Sequence, residues 1–237
     1  MAVKVYGWAI SPFVSRVLLC LEEAGVDYEL VPMSRATADH RHPDHLARNV
    51  RTVLLRPSIR FHAIPAARRL GEVPVLEDGQ LTLFESRAIA RHVLRKYKPE
   101  LLGASSLEQS AMVDMWVEVE AHQLQPPAGA IAVECIVAPV LQGRERNQAA
   151  IDENVEKLKK VLEVYEARLS QSKYLAGDVL SLADLSHFTI MHYFMATEYA
   201  TLVKALPHVD AWWEGLAARP AAKKVAEFMP LGSGVPE

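Results

Sequence analysis

The hydrophobic periodicity of this chain changes once, near Leu107, and does not change back. Before that point short stretches of period two alternate with helical stretches; after it every patterned stretch has the helical period. A chain written this way is confined to a mixed first part and an all-helical second part.

Residues Lys4 to Val31 read as strand, helix, strand. Val3 and Val5 alternate with Lys4 ahead of Gly7, which gives a short strand and a turn. Ser11-Pro12 is a helix start, because Ser can accept from free backbone N–H groups and Pro at the first helical position sacrifices no hydrogen bond. Val14, Val17, Leu18 and Leu21 follow at helical spacing, Gly25 supplies the stop, and Tyr28 to Pro32 forms a second strand. Farther on, Val73–Leu76 and Leu81–Phe84 flank Asp78-Gly79, a dipeptide suited to a tight hairpin. Ala88, Ile89, His92 and Val93 mark a helix to about Tyr97, closed by Lys98-Pro99. The expected order is βαβ, a connection, then ββα.

In the second part, Met112, Met115, Trp116 and Val119 share one helical face. Ile151, Val155, Leu158, Leu162, Tyr165 and Leu169 form a second stripe. Ser181 opens a helix, with Asp184 three residues on to reach back and Leu180 and Leu185 placed as a hydrophobic staple. A last helix with Ala211, Trp212 and Leu216 is expected to end near Arg219-Pro220, ahead of a tail rich in Gly and Pro. The expected domains are 1–102 and 107–237, joined around Gly103 to Ser106.

Composition narrows the class. A formal charge of −3 over 237 residues leaves no basic footprint for nucleic acid. Neither a signal-like N-terminus nor the ~18 apolar residues of a membrane span is legible, so a cytoplasmic protein is expected. Cys20 and Cys135 have no metal or C-x-x-C spacing; Cys20, on the apolar side of its helix, reads as a small buried hydrophobe or as a redox thiol. His40, His42 and His45 with Asp39 and Asp44 lie in what reads as an unpatterned polar loop without recognised ligand spacing, so no metal site is expected.

Four runs carry more than pattern: Val73 to Gly79 (VPVLEDG), Leu83 to Ile89 (LFESRAI), Val155 to Leu162 (VEKLKKVL) and Lys173 to Asp178 (KYLAGD). In this order they closely resemble the phi-class glutathione transferases of plants. The resemblance implies an α/β thioredoxin-like N-terminal domain and an all-α C-terminal bundle. It also implies a homodimer, glutathione as cosubstrate with no further cofactor, and transfer of the glutathione sulfur to a hydrophobic electrophile.

Such chemistry needs a thiolate, and a free thiol has a pKa near 8.5. A hydroxyl donating to sulfur beside a helix N-terminus favours the anion. Ser11 stands where the phi pattern has its serine, although a Ser-Pro pair alone reads as a plain N-cap. The same resemblance implies a cis peptide at Val73-Pro74 whose backbone bonds the cysteinyl part of glutathione, and a Glu85-Ser86 pair for its γ-glutamyl end. His40-Arg41, with Arg in place of the family's Lys, and Glu72, in place of the usual Gln, fall near the glycine carboxylate. Ile10, Pro12, Arg35, Val133 and Val137 correspond to the wall around the electrophile, with core packing an equal reading for the two valines. Glutathione-dependent hydroperoxide reduction and a non-catalytic carrier role stay open as alternatives.

Between Asn49 and Gly71 the sequence leaves the family pattern. About nineteen residues, Val50 to Arg68, are extra, and from His45 to Gly71 there is no Asp or Glu while Arg48, Arg51, Arg56, Arg60, Arg68 and Arg69 all occur. The insertion is expected to be a surface excursion beside the glycine end of the site.

Overall fold

The computed structural model describes residues 2–34, 37–51 and 71–230; Arg35 and nearly all of the insertion, 52–68, lie outside the described residues. The chain opens with β1 (Val3–Gly7), α1 (Pro12–Ala24) and β2 (Tyr28–Pro32). A 3₁₀ turn (Asp39–Arg41) and α2 (Pro43–Arg51) follow, then β3 (Val75–Asp78), β4 (Leu81–Phe84) and α3 (Ser86–Tyr97). The strands form one sheet in the order β2-β1-β3-β4, with β1 parallel to β2 and antiparallel to β3. β4 closes the sheet antiparallel to β3, pairing Val75 with Phe84.

α1 is the central element. Its start is set by Ser11 in an extended conformation and Pro12 at the first position, and its end by Gly25 at φ 65°, whose N–H bonds Glu22 at 3.1 Å. Val14 to Leu21 are buried without exception, Ser15 and Arg16 included, because α1 packs against α3 on one side and the helical half on the other. Burying each such leucine contributes roughly 1.5–3 kcal/mol. Truncating Leu18 to Ala would cost about 2–5 kcal/mol through the cavity it leaves.

After Gly103 the chain is helical. α4 (Leu107–Val119), a π segment (Glu120–Leu124), α5 (Gln125–Ala132), a second π segment (Val133–Val137) and α6 (Ala138–Leu141) run on as one rod over 107–141. α7 (Gln148–Leu169), α8 (Leu182–Met195), α9 (Thr201–Lys204), α10 (Pro207–Ala217) and α11 (Pro220–Ala226) complete the second half. Asp184 performs the role expected of it, accepting from the Ser181 N–H at 2.9 Å at the start of α8.

Five local expectations are corrected. The segment read as a polar loop is a 3₁₀ turn followed by α2, which burial of His45 and the Pro43 start make possible despite its polar composition. β3 begins at Val75, since Val73-Pro74 precedes it as a cis pair. Asp78 pairs with Leu81, so the hairpin loop is Gly79-Gln80, with Gly79 at φ 64°. In α4 the core face is Val113, Trp116 and Val117, while Met115 is exposed. Pro220 starts α11, whose Ala222 and Val225 are buried, because Pro is as good a first helical residue as it is a stop.

Candidate functional site

The strand register gathers the candidate residues at one end of the sheet. β1 finishes at Gly7 and leads to Ser11; β3, running the other way, is preceded by Val73-Pro74; β4 finishes beside that proline and leads to Glu85-Ser86. Gly7 makes the closeness possible: a Cβ there would fall 2.6 Å from Val14 Cγ2 and 3.3 Å from Val73 Cβ. Gly71 does the same for the other flank, lying close under the His40 carbonyl and Leu46. His40 meets Trp8 edge-to-face, with ring centroids 5.5 Å apart. His45, on α2, ties its ring Nε2 to the Glu72 carbonyl at 2.9 Å, and burial lowers its pKa, so the neutral ring donates from that nitrogen.

Ser11 is buried at the N-terminus of α1, yet its hydroxyl makes no cap: among the described residues Oγ has no hydrogen-bond partner. Its backbone is engaged, the N–H donating to Trp8 and the carbonyl accepting from Ser15, each at 2.9 Å. The Val73-Pro74 peptide is cis, as the resemblance implies. Glu85 holds φ at 71° with its side chain exposed and unused as a cap for α3. A non-glycine residue in that region costs roughly 1–3 kcal/mol and persists where the surroundings over-determine it.

Behind Glu85-Ser86 lies a charged cluster that the sequence reading missed. Arg16 is fully buried; its Nη1 donates to Ser86 Oγ at 2.9 Å and its Nη2 to Glu120 at 3.0 Å. Arg87 reaches the other oxygen of Glu120 from Nε at 2.8 Å, and Gln125 accepts from both arginines. Burial lowers the pKa of Arg16 and Glu120 raises it again, which leaves a guanidinium that is charged at neutral pH. The two cations outnumber the one buried carboxylate beside the helix starts of α1 and α3. That biases the end of the sheet toward an anionic ligand. The available signal was Arg16 itself, a charged residue in the middle of an otherwise apolar helix face.

Other candidates fall differently. Arg41 and Glu72 are exposed, and Ile10 and Pro12, beside Ser11, are half-buried. Val133 is 39% exposed and Val137 half-buried, so core packing does not account for them. Cys20 is fully buried and its thiol is pushed up to about 12 by that burial, which makes it a small hydrophobe. His42 lies near Asp44 while His40 and His45 point elsewhere; among the described residues no group of three or more His, Cys, Asp or Glu is set to hold a metal ion. Among those residues, too, no helix is long and apolar enough to cross a membrane.

A four-stranded βαβ–ββα half with a cis-proline edge, joined to a helical half, defines the thioredoxin-like class of two-part transferases. The comparisons agree: the glutathione S-transferase N-terminal domain family matches residues 1–95 and the corresponding C-terminal domain family residues 124–220. Glutathione S-transferase 4 of Zea mays is 73% identical over 236 residues, covering 100% of this chain and 97% of that protein. The solved structure of glutathione S-transferase I bound with lactoylglutathione has a TM-score of 0.86 at 48% identity, covering 97% of this chain and 100% of that one. Glutathione S-transferase I from maize in complex with an atrazine glutathione conjugate gives 0.85 at 48% identity, with 97% and 98% covered. The chain belongs to the glutathione S-transferase family, in its plant phi class, and is a glutathione transferase enzyme that joins glutathione to electrophiles.

Proposed function

We propose that Ser11 donates its hydroxyl hydrogen to the sulfur of bound glutathione and holds that sulfur as thiolate. The thiol proton leaves to solvent. The thiolate then attacks an electrophilic carbon, so that an S–C bond forms and the leaving group departs with the electron pair of the broken bond. The observation that carries this reading is the uncommitted hydroxyl of a buried serine at a helix N-terminus. Lowering a thiol pKa by one to two units requires only about 1.4–2.8 kcal/mol, within reach of a hydrogen bond plus the helix field.

The rest of glutathione follows the sheet end. Val73 and the cis Pro74 offer backbone to the cysteinyl part, as an added strand would. Ser86 already accepts from Arg16, which leaves its own proton to donate to the γ-glutamyl carboxylate, while Glu85 receives the α-ammonium. His40 and Arg41 serve the glycine carboxylate, near which Glu72 adds a like, repelling charge. Ile10, Pro12, Val133 and Val137 line the electrophile side. Relatives solved bound with lactoylglutathione and in complex with an atrazine glutathione conjugate support S-substituted glutathiones as products. The same reading carries a cytosolic homodimer, which light scattering tests for assembly.

Steady-state conjugation of an aryl halide at pH 6.5 decides the role of Ser11. Ser11→Ala should lose about ten- to a hundredfold in kcat/KM, the equivalent of one to two pKa units. Equal rates in the two proteins would remove Ser11 from the mechanism.

A further inference from the structure

The turn that carries Ser11 exposes three successive carbonyls, of Trp8, Ala9 and Ile10, and each has its own donor. Trp8 accepts from the Ser11 N–H at 2.9 Å. Ala9 accepts from Ser15 Oγ, one turn into α1. Ile10 accepts from Tyr193 Oη at 2.6 Å, and this donor comes from α8, 183 residues away in the chain. The first two bonds are local and travel with α1. Of these three bonds, the third ties the turn to the helical half.

α8 is well placed to act as that reference. Its first turn is locked by Asp184, whose carboxylate accepts from the Ser181 and Leu175 N–H groups and from the Trp212 indole at 2.9–3.0 Å. Midway, the Ser186 carbonyl accepts from Arg16 at 3.3 Å, and near its far end Tyr193 reaches the residue before Ser11. A helix held at its start therefore grips α1 at Arg16 and the turn before it at Ile10.

We infer that Tyr193 is a positioning residue for the reaction: its hydroxyl fixes the Ile10 carbonyl, and through it the direction in which Ser11 Oγ meets the glutathione sulfur. This rests on the thiolate role of Ser11 proposed above. A hydrogen bond to sulfur weakens steeply as its angle departs from linear, so a few tenths of an ångström of freedom at the turn is felt in thiol acidity. None of Arg16, Arg87, Glu120, Glu85, His40 and Arg41, the charged or titratable groups placed at this end of the sheet, bonds the Tyr193 hydroxyl, so a change in thiol acidity reports on the turn.

The test is a pH titration of glutathione bound to the intact protein, read by thiolate absorbance, alongside kcat/KM against pH with an aryl halide. Tyr193→Phe should raise the bound-thiol pKa by about half to one unit. kcat/KM at pH 6.5 should then fall about three- to tenfold, with the deficit closing at alkaline pH and KM for glutathione nearly unchanged. Tyr165→Phe is the control, since Tyr165 donates to His187 in the helical core and not to the turn; it should lower the unfolding midpoint and leave the thiol pKa in place. A Tyr193→Phe pKa within about 0.2 unit of wild type, or an equal shift in both variants, would overturn the inference. A wild-type chain whose bound thiol is no more acidic than free glutathione would overturn the Ser11 reading first and this inference with it.

Discussion

Single residues show how burial assigns chemistry that residue type leaves open. His187 is fully buried, donates from Nδ1 to the Ala183 carbonyl at 2.6 Å and accepts the Tyr165 hydroxyl on Nε2 at 2.8 Å. Burial pushes it down to about 4, so the folded protein keeps it neutral while the unfolded chain protonates near 6.5. The folded pKa is the lower one. Its contribution, up to about 3 kcal/mol, is therefore complete above pH 6.5 and is lost as pH falls toward 4. Urea midpoints measured from pH 7.5 to 4.5 should fall less steeply in His187→Asn than in wild type; parallel slopes would contradict the assignment. Ser11 shows the converse. Its identity as a helix start was legible from the Ser-Pro pair, but its free hydroxyl was not, because capping is decided by side-chain rotamer and neighbours.

At the scale of elements, the start of α8 was written in four residues, whereas the course of 107–141 was not. Asp184 answers the Ser181 N–H as the spacing required, and then gains two donors from elsewhere, Leu175 and Trp212. Removing a buried acceptor leaves its donors unsatisfied at about 1–3 kcal/mol each. Asp184→Ala should therefore lower stability by several kcal/mol, on the order of 3, and shift Trp212 fluorescence on the native baseline; a loss under about 1 kcal/mol would mean the donors find other partners. The rod over 107–141 read only as a helical stripe, and the sequence placed Met115 inside. Its two π segments each insert an extra residue per turn, and the first of them carries Glu120, fully buried, toward Arg16. No local signal announces a π segment, since its driving force is the partner it meets.

The whole molecule depends on contacts between its two halves. Arg16 of α1 and Glu120 of the long rod pair at 3.0 Å with almost no exposure, so removing one partner strands the other in a dry interior. Glu120→Leu should cost about 3–5 kcal/mol, and the double variant Arg16→Met with Glu120→Leu should recover most of it. Urea unfolding of the three proteins checks both. Lengthening a connection costs little closure entropy, but the extra residues Val50 to Arg68 fall in the sequence just ahead of Gly71, which lies against the His40 carbonyl and precedes Glu72. Deleting Val50 to Arg68 together with Glu72→Gln should tighten glutathione binding by calorimetry; unchanged or weaker binding would show that the segment does not disturb the glycine end.

Both ends of α1, the βαβ and ββα order of the strands with their helices, and the α8 cap were determined by the sequence alone. They are local, and local preferences of backbone and periodicity suffice for them. The tertiary structure decided which side chains those elements share: that Arg16 faces Ser86 and Glu120, that Tyr193 reaches Ile10, that α2 is a helix and Met115 lies outside. Those outcomes rest on burial and on hydrogen bonds between residues some 70 to 183 positions apart, and no window of sequence contains both partners.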